Sequence, residues 1–311
     1  MTGYQALREH AAWMDLSARG KIRATGEDRA RLLHAMTTNH IERLTPGEGC
    51  YSFFLNAQGR ILADANILCF EDSFLLDTEP ETRQNLYEHL DRYIIADDVT
   101  LQDQTAQTAT IGIEGPQAES VMRQLGAPIP KEPYSWAAWG DRVVARLSTV
   151  GLDGFFVLLP AGERDQFSAA LTVPRADAAE ERIVRIETAR PRFGEEITDR
   201  RLIAETGLYH AVHLNKGCYL GQEIVERVRS RGEVHRLLRE IVIDTGDPPA
   251  PGTRTDQLEI VSSAYSPAHQ KTIAFAYVRT PFAAVGTELL VDGRHASVLN
   301  DPSTAPNRRE T

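Results

Sequence analysis

The chain has 311 residues, enough for about two domains or three small ones, and its 42% hydrophobic and 25% charged residues are typical of a globular protein. The formal net charge of −10 at pH 7 argues against a protein that coats nucleic acid or a membrane surface through a broad basic face. Its three cysteines, with no CxxC pair, exclude a disulfide scaffold, a zinc finger and a four-thiolate cluster held within one chain.

The N-terminal sequence has no apolar leader, and no stretch reaches the roughly 18 apolar residues of a membrane span. A small, odd number of cysteines is typical of a reducing compartment. We therefore expect a cytoplasmic protein with no membrane partner and no metal site of its own.

Over the first 236 residues, helices and strands mix without the regular βαβ alternation of a parallel sheet. Residues 26–29 predict the start of a short helix, because acidic side chains favour a helix N-terminus. Residues 51–55 and 60–68 are rich in strand formers and flank a four-residue loop, which predicts a hairpin. The other predicted elements are a helix after Pro80, a helix after Pro116 and a buried strand over 155–159.

The chain changes character after Arg236. Strand-like runs separated by Pro, Gly and Asp turns occupy it, and no helical periodicity remains. These runs are 240–243, 260–263, 273–278 and 288–291. We predict an α+β protein with antiparallel sheets that ends in a small β-barrel domain.

The most informative segment is 216–223, Lys-Gly-Cys-Tyr-Leu-Gly-Gln-Glu. Apolar spacing predicts a helix from about Gln222 to Gly232, so Cys218 lies just before a helix N-terminus and close to Lys216. The helix dipole and the ammonium group both favour a thiolate, which makes Cys218 a candidate nucleophile, redox sensor or metal ligand. The alternative is a small residue buried at a turn.

The surrounding charge opposes that of the whole chain. Residues 216–239 contain six Lys or Arg and three Glu, a local excess of +3. Such an electropositive region suits a multiply anionic small molecule. The alternative is a solvated helix face on which Glu223 pairs with Arg227 and Glu226 pairs with Arg229.

Residues 216–223 resemble the K-G-C-Y-x-G-Q-E signature of the YgfZ family, whose members bind folate and support iron–sulfur cluster maturation. That family is similar to the aminomethyltransferase (T-protein) of the glycine cleavage system. Further segments resemble the family in the same order along the chain, namely 60–64, 97–101, 113–116, 186–187, 194–197 and 205–208. The resemblance covers nearly the whole chain and is least distinct at the C-terminal end.

The resemblance implies a cloverleaf of three domains around a folate-sized opening. The first would be a discontinuous folate-binding domain over 1–50 and 150–236. The second would be a ferredoxin-like domain over 51–149, and the third the β-barrel over 237–311.

The resemblance also implies roles for two acidic residues. Glu187 would hold the pterin ring, since a carboxylate accepts paired hydrogen bonds from a 2-aminopyrimidine edge. Asp64 would lie near the reactive nitrogens of folate. The alternatives are that Glu187 pairs with Arg190 and that Asp64 faces solvent from a half-exposed strand. Ala189 stands where relatives commonly have Gly, which would narrow the pocket near Glu187.

The remaining expected site residues come from the basic segment. Cys218, Lys216 and Asp64 are the candidate catalytic residues. The other candidate folate contacts are Lys216, Tyr219, Gln222, Arg227 and Arg229, with Arg231 as a further arginine for the glutamate tail.

Three functions follow from these residues. The first is a tetrahydrofolate-binding accessory protein for iron–sulfur cluster assembly or repair, in which Cys218 is the working thiol. Iron–sulfur proteins or cluster carriers that bind transiently must then supply the other cluster ligands, because one cysteine cannot hold a cluster. The second is a folate-dependent aminomethyltransferase, although T-proteins usually carry an acidic residue at the position of Cys218.

The third function is a non-catalytic scaffold in which the central opening only stabilises an assembly, and a folate-dependent tRNA-modification factor is a variant of these functions. The net charge predicts poor RNA affinity without a partner. The ligand in each folate-dependent case is tetrahydrofolate or a derivative, catalytic turnover stays open, and we expect a monomer.

Overall fold

The computed structural model describes residues 1–232, 234–244 and 246–302, with the side chain of Arg231 outside the description. Helices in chain order are α1 (Gly3–Glu9), α2 (Arg29–Met36), α3 (Arg83–Asp91), α4 (Ala118–Gln124), α5 (Arg164–Ala169), α6 (Ala178–Glu187), α7 (Ile203–Thr206) and α8 (Gln222–Arg231).

Strands in chain order are β1 (Ala12–Asp15), β2 (Gly20–Thr25), β3 (Gly49–Leu55), β4 (Ile61–Cys69), β5 (Ser73–Thr78), β6 (Thr100–Asp103), β7 (Thr108–Glu114), β8 (Trp136–Trp139), β9 (Arg142–Ala145), β10 (Gly154–Pro160), β11 (Arg236–Ile243), β12 (Leu258–Ser266), β13 (Lys271–Arg279), β14 (Glu288–Val291) and β15 (Arg294–Asn300). The described strands form three antiparallel sheets of five strands each, which confirms the predicted α+β class with antiparallel sheets.

The first sheet has the order β3-β4-β5-β2-β6. Its β3–β4 pair is the predicted hairpin, with Leu55 opposite Ile61 across the loop. The apolar faces of α2 and α3 pack on this sheet and bury Leu33 and Leu90 completely. Both helices were predicted, although α2 begins only at Arg29, after the acidic residues that were expected in its first turn.

The second sheet has the order β1-β7-β10-β9-β8. Its core contains Ile111, Ile113, Phe155 and Val157, over which α4 and α5 pack. Strand β2 pairs with β5 in the first sheet, and β7 pairs with β10 in the second. These pairings do not follow the domain division predicted at residues 51 and 149–150. Strands β2 and β5 lie on opposite sides of residue 51, and β7 and β10 lie on opposite sides of 149–150.

The third sheet has the order β12-β13-β11-β15-β14 and contains every described strand after Arg236. The all-strand character predicted for this region is therefore confirmed. Among the described residues no backbone pairing joins β12 to β14, so closure into a barrel stays a prediction.

Helix α6 connects these parts. Its N-terminus is capped by Asp177, whose side chain accepts hydrogen bonds from the backbone of Ala179 and Glu180. A side chain at Gly3 would collide with Glu180 and Ala176, so α1 and α6 approach closely through this glycine. The helix also contacts β12 and β13 of the third sheet. It is thereby held between the sheets, with its first turns beside the site described below. No helix of the described ranges is both long and apolar enough to cross a membrane.

Candidate functional site

A cavity of about 490 Å³ lies where the first sheet, the second sheet and α6 meet, and we call it the central cavity. Its walls include apolar side chains, such as Phe156 and Leu208, together with many charged groups. The volume lies within the range of pockets that bury small-molecule ligands, and an apolar lining with a few polar groups is typical of such sites. This cavity is therefore the candidate functional site.

Asp64 lines the central cavity from β4 and is only 6% exposed. The hydroxyl of Tyr51, on the neighbouring strand β3, donates a hydrogen bond to its carboxylate at 2.7 Å. Burial raises the pKa of Asp64 to about 6, and the nearby carboxylate of Glu79 adds to this effect. The structure thus places Asp64 in a protected position rather than facing solvent. Its carboxyl can hold or release a proton near neutral pH.

Glu181 is a second carboxyl group in the wall of the central cavity, and no sequence motif singles it out. It lies in the first turn of α6. Burial raises its pKa to about 7, against the opposing effect of the Arg185 guanidinium. The Asp177–Glu180 capping box indicates in the sequence where α6 begins and so places Glu181 in its first turn. It does not indicate the direction in which the Glu181 side chain faces.

Six arginines line the central cavity, and five of them are held by neighbouring side chains. These five are Arg19 with Asp77, Arg182 with Glu195, Arg185 with Glu196, Arg190 with Tyr134 and Arg192 with Glu81. The pair between Arg185 and Glu196 is almost fully buried, at 2.6 Å. Such paired guanidinium groups fix the shape of the walls.

Glu114 positions the loop 148–150, part of which lines the central cavity. It is fully buried, and its carboxylate accepts hydrogen bonds from the hydroxyl of Ser148, the backbone of Thr149 at 2.9 Å and the backbone of Val150 at 3.2 Å. The pKa of Glu114 is raised by burial. This residue belongs to segment 113–116, which the family resemblance had identified.

Glu187 does not line the central cavity. It lies at the C-terminal end of α6, where its carboxylate accepts hydrogen bonds from Tyr4 at 2.8 Å and from Ser266 at 2.5 Å, with the guanidinium of Arg8 at 3.5 Å. The alternative pair with Arg190 is not among these contacts. The pterin role of Glu187 stays a prediction.

The methyl group of Ala189 packs in the apolar cluster that contains Phe275, rather than toward the central cavity. Its backbone has φ +53, the left-handed region that favours glycine, which accounts for the glycine expected at this position.

The signature segment is held by Lys216, which is buried. Its ammonium group donates to the carbonyl oxygens of His34 at 2.5 Å, Thr37 at 2.6 Å and Asn39 at 2.8 Å. Burial lowers the pKa of Lys216 to about 8. Lys216 therefore ties two segments of backbone together and does not line the central cavity.

The predicted helix after the signature is confirmed as α8, with Gly221 at φ +83 before it and Gly232 at φ +66 after it. Tyr219 is buried, and its backbone N–H donates to the side-chain oxygen of Gln222 at 3.3 Å. Neither side chain lines the central cavity.

The exposed face of α8 has the Glu–Arg pairs of a solvated helix face, which was the alternative to an anion-binding region. Arg227 pairs with Glu223, and Arg229 pairs with Glu226. Neither arginine lines the central cavity, and the side chain of Arg231 lies outside the described residues. The structure therefore does not bring these predicted folate contacts together with Asp64.

Cys218 is exposed, whereas Cys50 and Cys69 are buried. It lies outside the lining of the central cavity, so the predicted catalytic thiol and the predicted catalytic carboxyl occupy separate places. In the part of the chain that the structure describes, no group of three or more His, Cys, Asp and Glu side chains could hold a metal ion.

This chain is similar in sequence and in fold to several known proteins. The GCVT N-terminal domain family matches residues 2–216. Aminomethyltransferase from Symbiobacterium thermophilum is 27% identical over 340 residues, which cover 98% of this chain and 90% of the relative. Aminomethyltransferase from Synechococcus elongatus is 29% identical over 333 residues, which cover 99% and 87%.

A chloroplastic Arabidopsis thaliana protein named as a transferase is 31% identical over 236 residues, 72% of this chain. The chain spans about half the length of that relative, 54%. The crystal structure of aminomethyltransferase T of the glycine cleavage system from Bartonella henselae superposes with a TM-score of 0.89. That superposition covers 97% of this chain and 88% of that structure, and at 21% identity it shows a shared fold.

Proposed function

The chain belongs to the GCVT N-terminal domain family, and from that premise we propose that it binds a tetrahydrofolate in the central cavity and transfers a one-carbon unit in the manner of an aminomethyltransferase. The observation that carries the proposal is the Asp64–Tyr51 pair, a buried carboxyl group of raised pKa inside a ligand-sized cavity. Aminomethyltransferases that match this chain over 94% or more of its length support the choice of reaction.

The donor set of the central cavity suits a reduced folate. The pyrimidine half of a reduced pterin is flat. Its 2-amino edge pairs well with a carboxylate, and its face packs against apolar walls. The cavity offers Asp64 and Glu181 as carboxyl groups and Phe156 as an aromatic wall. We propose Glu181 as the carboxylate that accepts the 2-amino edge, because it faces the cavity from which Glu187 is absent.

Bound tetrahydrofolate would supply the amine nitrogens that accept the one-carbon unit. The role of the protein is to hold a proton near those nitrogens and to move it. Asp64, with a pKa of about 6, is present in both protonation states near neutral pH. Tyr51 fixes the direction of the Asp64 carboxylate through its hydrogen bond. The enclosing walls reduce water access, which strengthens each of these electrostatic interactions.

Calorimetric titration with tetrahydrofolate tests the site. We expect Asp64→Asn and Glu181→Gln each to weaken binding about tenfold or more, the effect of losing a hydrogen bond to a charged group. Glu187→Gln serves as a matched control on the same helix and should bind as the wild type does. Loss of affinity in Glu187→Gln with normal affinity in Glu181→Gln would assign the pterin to Glu187 instead.

Turnover tests the reaction. Ammonia release from an aminomethyl-lipoyl carrier protein should depend on tetrahydrofolate and should fall in Asp64→Asn by more than the affinity change explains. A wild-type protein that binds tetrahydrofolate but releases no ammonia would refute the transferase and leave a folate-binding protein.

One observation favours a second candidate function, an accessory role in iron–sulfur cluster assembly or repair. Cys218 is exposed on a loop outside the central cavity, within reach of a partner protein. We propose that in this case cluster carriers or iron–sulfur proteins bind transiently and supply the other ligands. Complementation of a deletion strain by wild type and Cys218→Ser, scored on a cluster-dependent enzyme, tests it. Cys69→Ser is the control, and equal rescue by both variants would contradict the role.

A further inference from the structure

Thr149, in the wall of the central cavity, has a hydroxyl group that contacts two carboxyl groups. It donates to the carboxylate of Glu114 at 3.1 Å and also contacts the carboxyl group of Glu181. A hydroxyl group carries one proton, so it donates to only one of the two carboxyl groups at a time. The other must bring a proton of its own to bond with Thr149.

Glu114 is the carboxylate that receives the hydroxyl proton. Its two oxygens accept four hydrogen bonds, from the backbone of Thr149 and Val150 and from the hydroxyl groups of Ser148 and Thr149. Two of these donors are backbone N–H groups, which cannot act as acceptors. Burial raises the pKa of Glu114, and the four hydrogen bonds oppose that effect. Because this arrangement satisfies both oxygens of Glu114, the Thr149 hydroxyl presents only lone pairs to Glu181.

Glu181 has surroundings that favour its protonated form. Two carboxyl groups, those of Glu114 and Glu79, act on it, and the guanidinium of Arg185 is engaged in a buried ion pair at 2.6 Å. Burial raises the pKa of Glu181 to about 7, and the two carboxyl groups add to this effect against Arg185. Protonated Glu181 is therefore well populated near neutral pH and donates to Thr149.

Other charges packed on α6 have partners away from Glu181. Arg182 pairs with Glu195. Arg8 of α1 and Glu240 of β11 act on the C-terminal end of the helix. The protonation of Glu181 is therefore controlled mainly from the cavity side of α6.

We propose that Glu181 gives up a proton when a ligand presents an amino edge to it, so that binding in the central cavity is coupled to pH. The inference rests on the proposed function and concerns its regulation. Without ligand, Glu181 donates its proton to Thr149. On binding, Glu181 releases this proton to solvent, and its ionised carboxylate accepts the N–H groups of the 2-amino edge in its place.

This coupling makes binding tighter as the pH rises. With a pKa of about 7, Glu181 is about 90% protonated at pH 6 and about 10% protonated at pH 8. Because the amino edge binds the ionised form, this group alone should make the Kd about tenfold higher at pH 6 than at pH 8. The protons that Glu181 releases per ligand should fall from about 0.9 at pH 6 to about 0.5 at pH 7 and about 0.1 at pH 8.

Isothermal titration calorimetry with tetrahydrofolate counts these protons. Titrations in Pipes and in imidazole, which differ in ionisation enthalpy, separate the heat of buffer protonation from the heat of binding. Asp64 can contribute protons of its own, so the share of Glu181 is the difference between the wild type and Glu181→Gln. We expect this difference to be about 0.5 proton at pH 7 and to decrease from pH 6 to pH 8.

The affinity provides an independent measurement. Glu181→Gln should weaken tetrahydrofolate binding about tenfold at pH 8 and hardly at all at pH 6, where Glu181 of the wild type is already neutral. A loss of affinity that is the same at both pH values would contradict the coupling, because it would mean that Glu181 is ionised throughout.

Glu114→Gln tests the contribution of the neighbouring carboxylate. Without its charge Glu181 should ionise more readily, so fewer protons should be released at pH 7 than in the wild type. Glu119→Gln is the matched control, since Glu119 also lies in the first turn of a helix but outside the cavity lining, and its proton count should equal that of the wild type. Glu181→Gln, at a side chain that faces the cavity, decides the question if the buried change at Glu114 disturbs folding.

Failure of this inference differs from failure of the proposed function. If the wild type and Glu181→Gln bind tetrahydrofolate and release equal numbers of protons from pH 6 to pH 8, the coupling is refuted and folate binding stands. If the wild type binds no tetrahydrofolate at any of these pH values, the proposed function and this inference are both refuted.

Discussion

Replacing Asp64 by Asn should stabilise the protein at neutral pH, although the same change should weaken folate binding. The carboxyl group is buried, and its pKa lies at about 6 instead of the ordinary 3.8. This difference corresponds to about 3 kcal/mol by which the folded state disfavours the charged form. Asn removes the charge and keeps an oxygen that can accept the hydrogen bond of Tyr51.

The sign of the pH dependence follows from the raised pKa. Between about pH 4 and pH 6 the folded protein binds more protons at Asp64 than the unfolded chain does, so this group lowers stability as the pH rises through that window. Above about pH 6 the full penalty is present. The gain in Asp64→Asn should therefore approach about 3 kcal/mol at pH 8 and about half of that at pH 5.

Urea unfolding at pH 5 and pH 8, followed by tryptophan fluorescence, measures both values. Asp141→Asn, at an exposed turn, is a control that should change the free energy of unfolding by less than about 0.5 kcal/mol at either pH. An equal gain at the two pH values would refute the reasoning, because the stabilisation would then not come from removal of a charge. A loss at pH 8 would refute it as well.

Two further predictions concern the signature segment. Lys216→Met should lower the free energy of unfolding by about 2–4 kcal/mol in urea titrations, because three buried carbonyl oxygens lose their donor; an unchanged midpoint would contradict this. Cys218 should react with iodoacetamide faster than Cys50 and Cys69 in the native protein, since only Cys218 of the three is exposed. Peptide mass spectrometry measures the rates, and equal labelling of all three would be inconsistent with the structure.

The parts of the fold that the sequence predicts well are those determined by near neighbours. Strand-forming residues on either side of a four-residue loop gave the β3–β4 hairpin, and Gly221 and Gly232 marked the ends of α8. The pairing of β2 with β5, or of β7 with β10, joins strands far apart in the chain and leaves no local signal. The domain boundaries predicted at residues 51 and 149–150 were placed without these long-range strand pairings.

Two of the three glutamates of α6 show the same limit at the site. Glu181 and Glu187 are six positions apart, which places them about 120° from each other around a helix axis. Only one of them can face the central cavity, and the choice depends on how α6 is rotated. That rotation is set by its contacts with α1, β12 and β13, through the close approach at Gly3 and the hydrogen bonds of Glu187 to Tyr4 and Ser266.

The signature segment and the central cavity are separate places, yet one hydrogen-bond network joins them. Lys216 bonds the carbonyl of Asn39, and the side-chain amide of Asn39 donates to the carbonyl of Tyr51 at 3.0 Å. Tyr51 in turn holds Asp64. We therefore propose a positioning role for Lys216, because its ammonium group anchors the segment that supports Tyr51, and its direct action on folate stays a prediction. On this basis a change at Lys216 affects the cavity through the placement of Tyr51, while Cys218, exposed on the same segment, remains accessible to a partner.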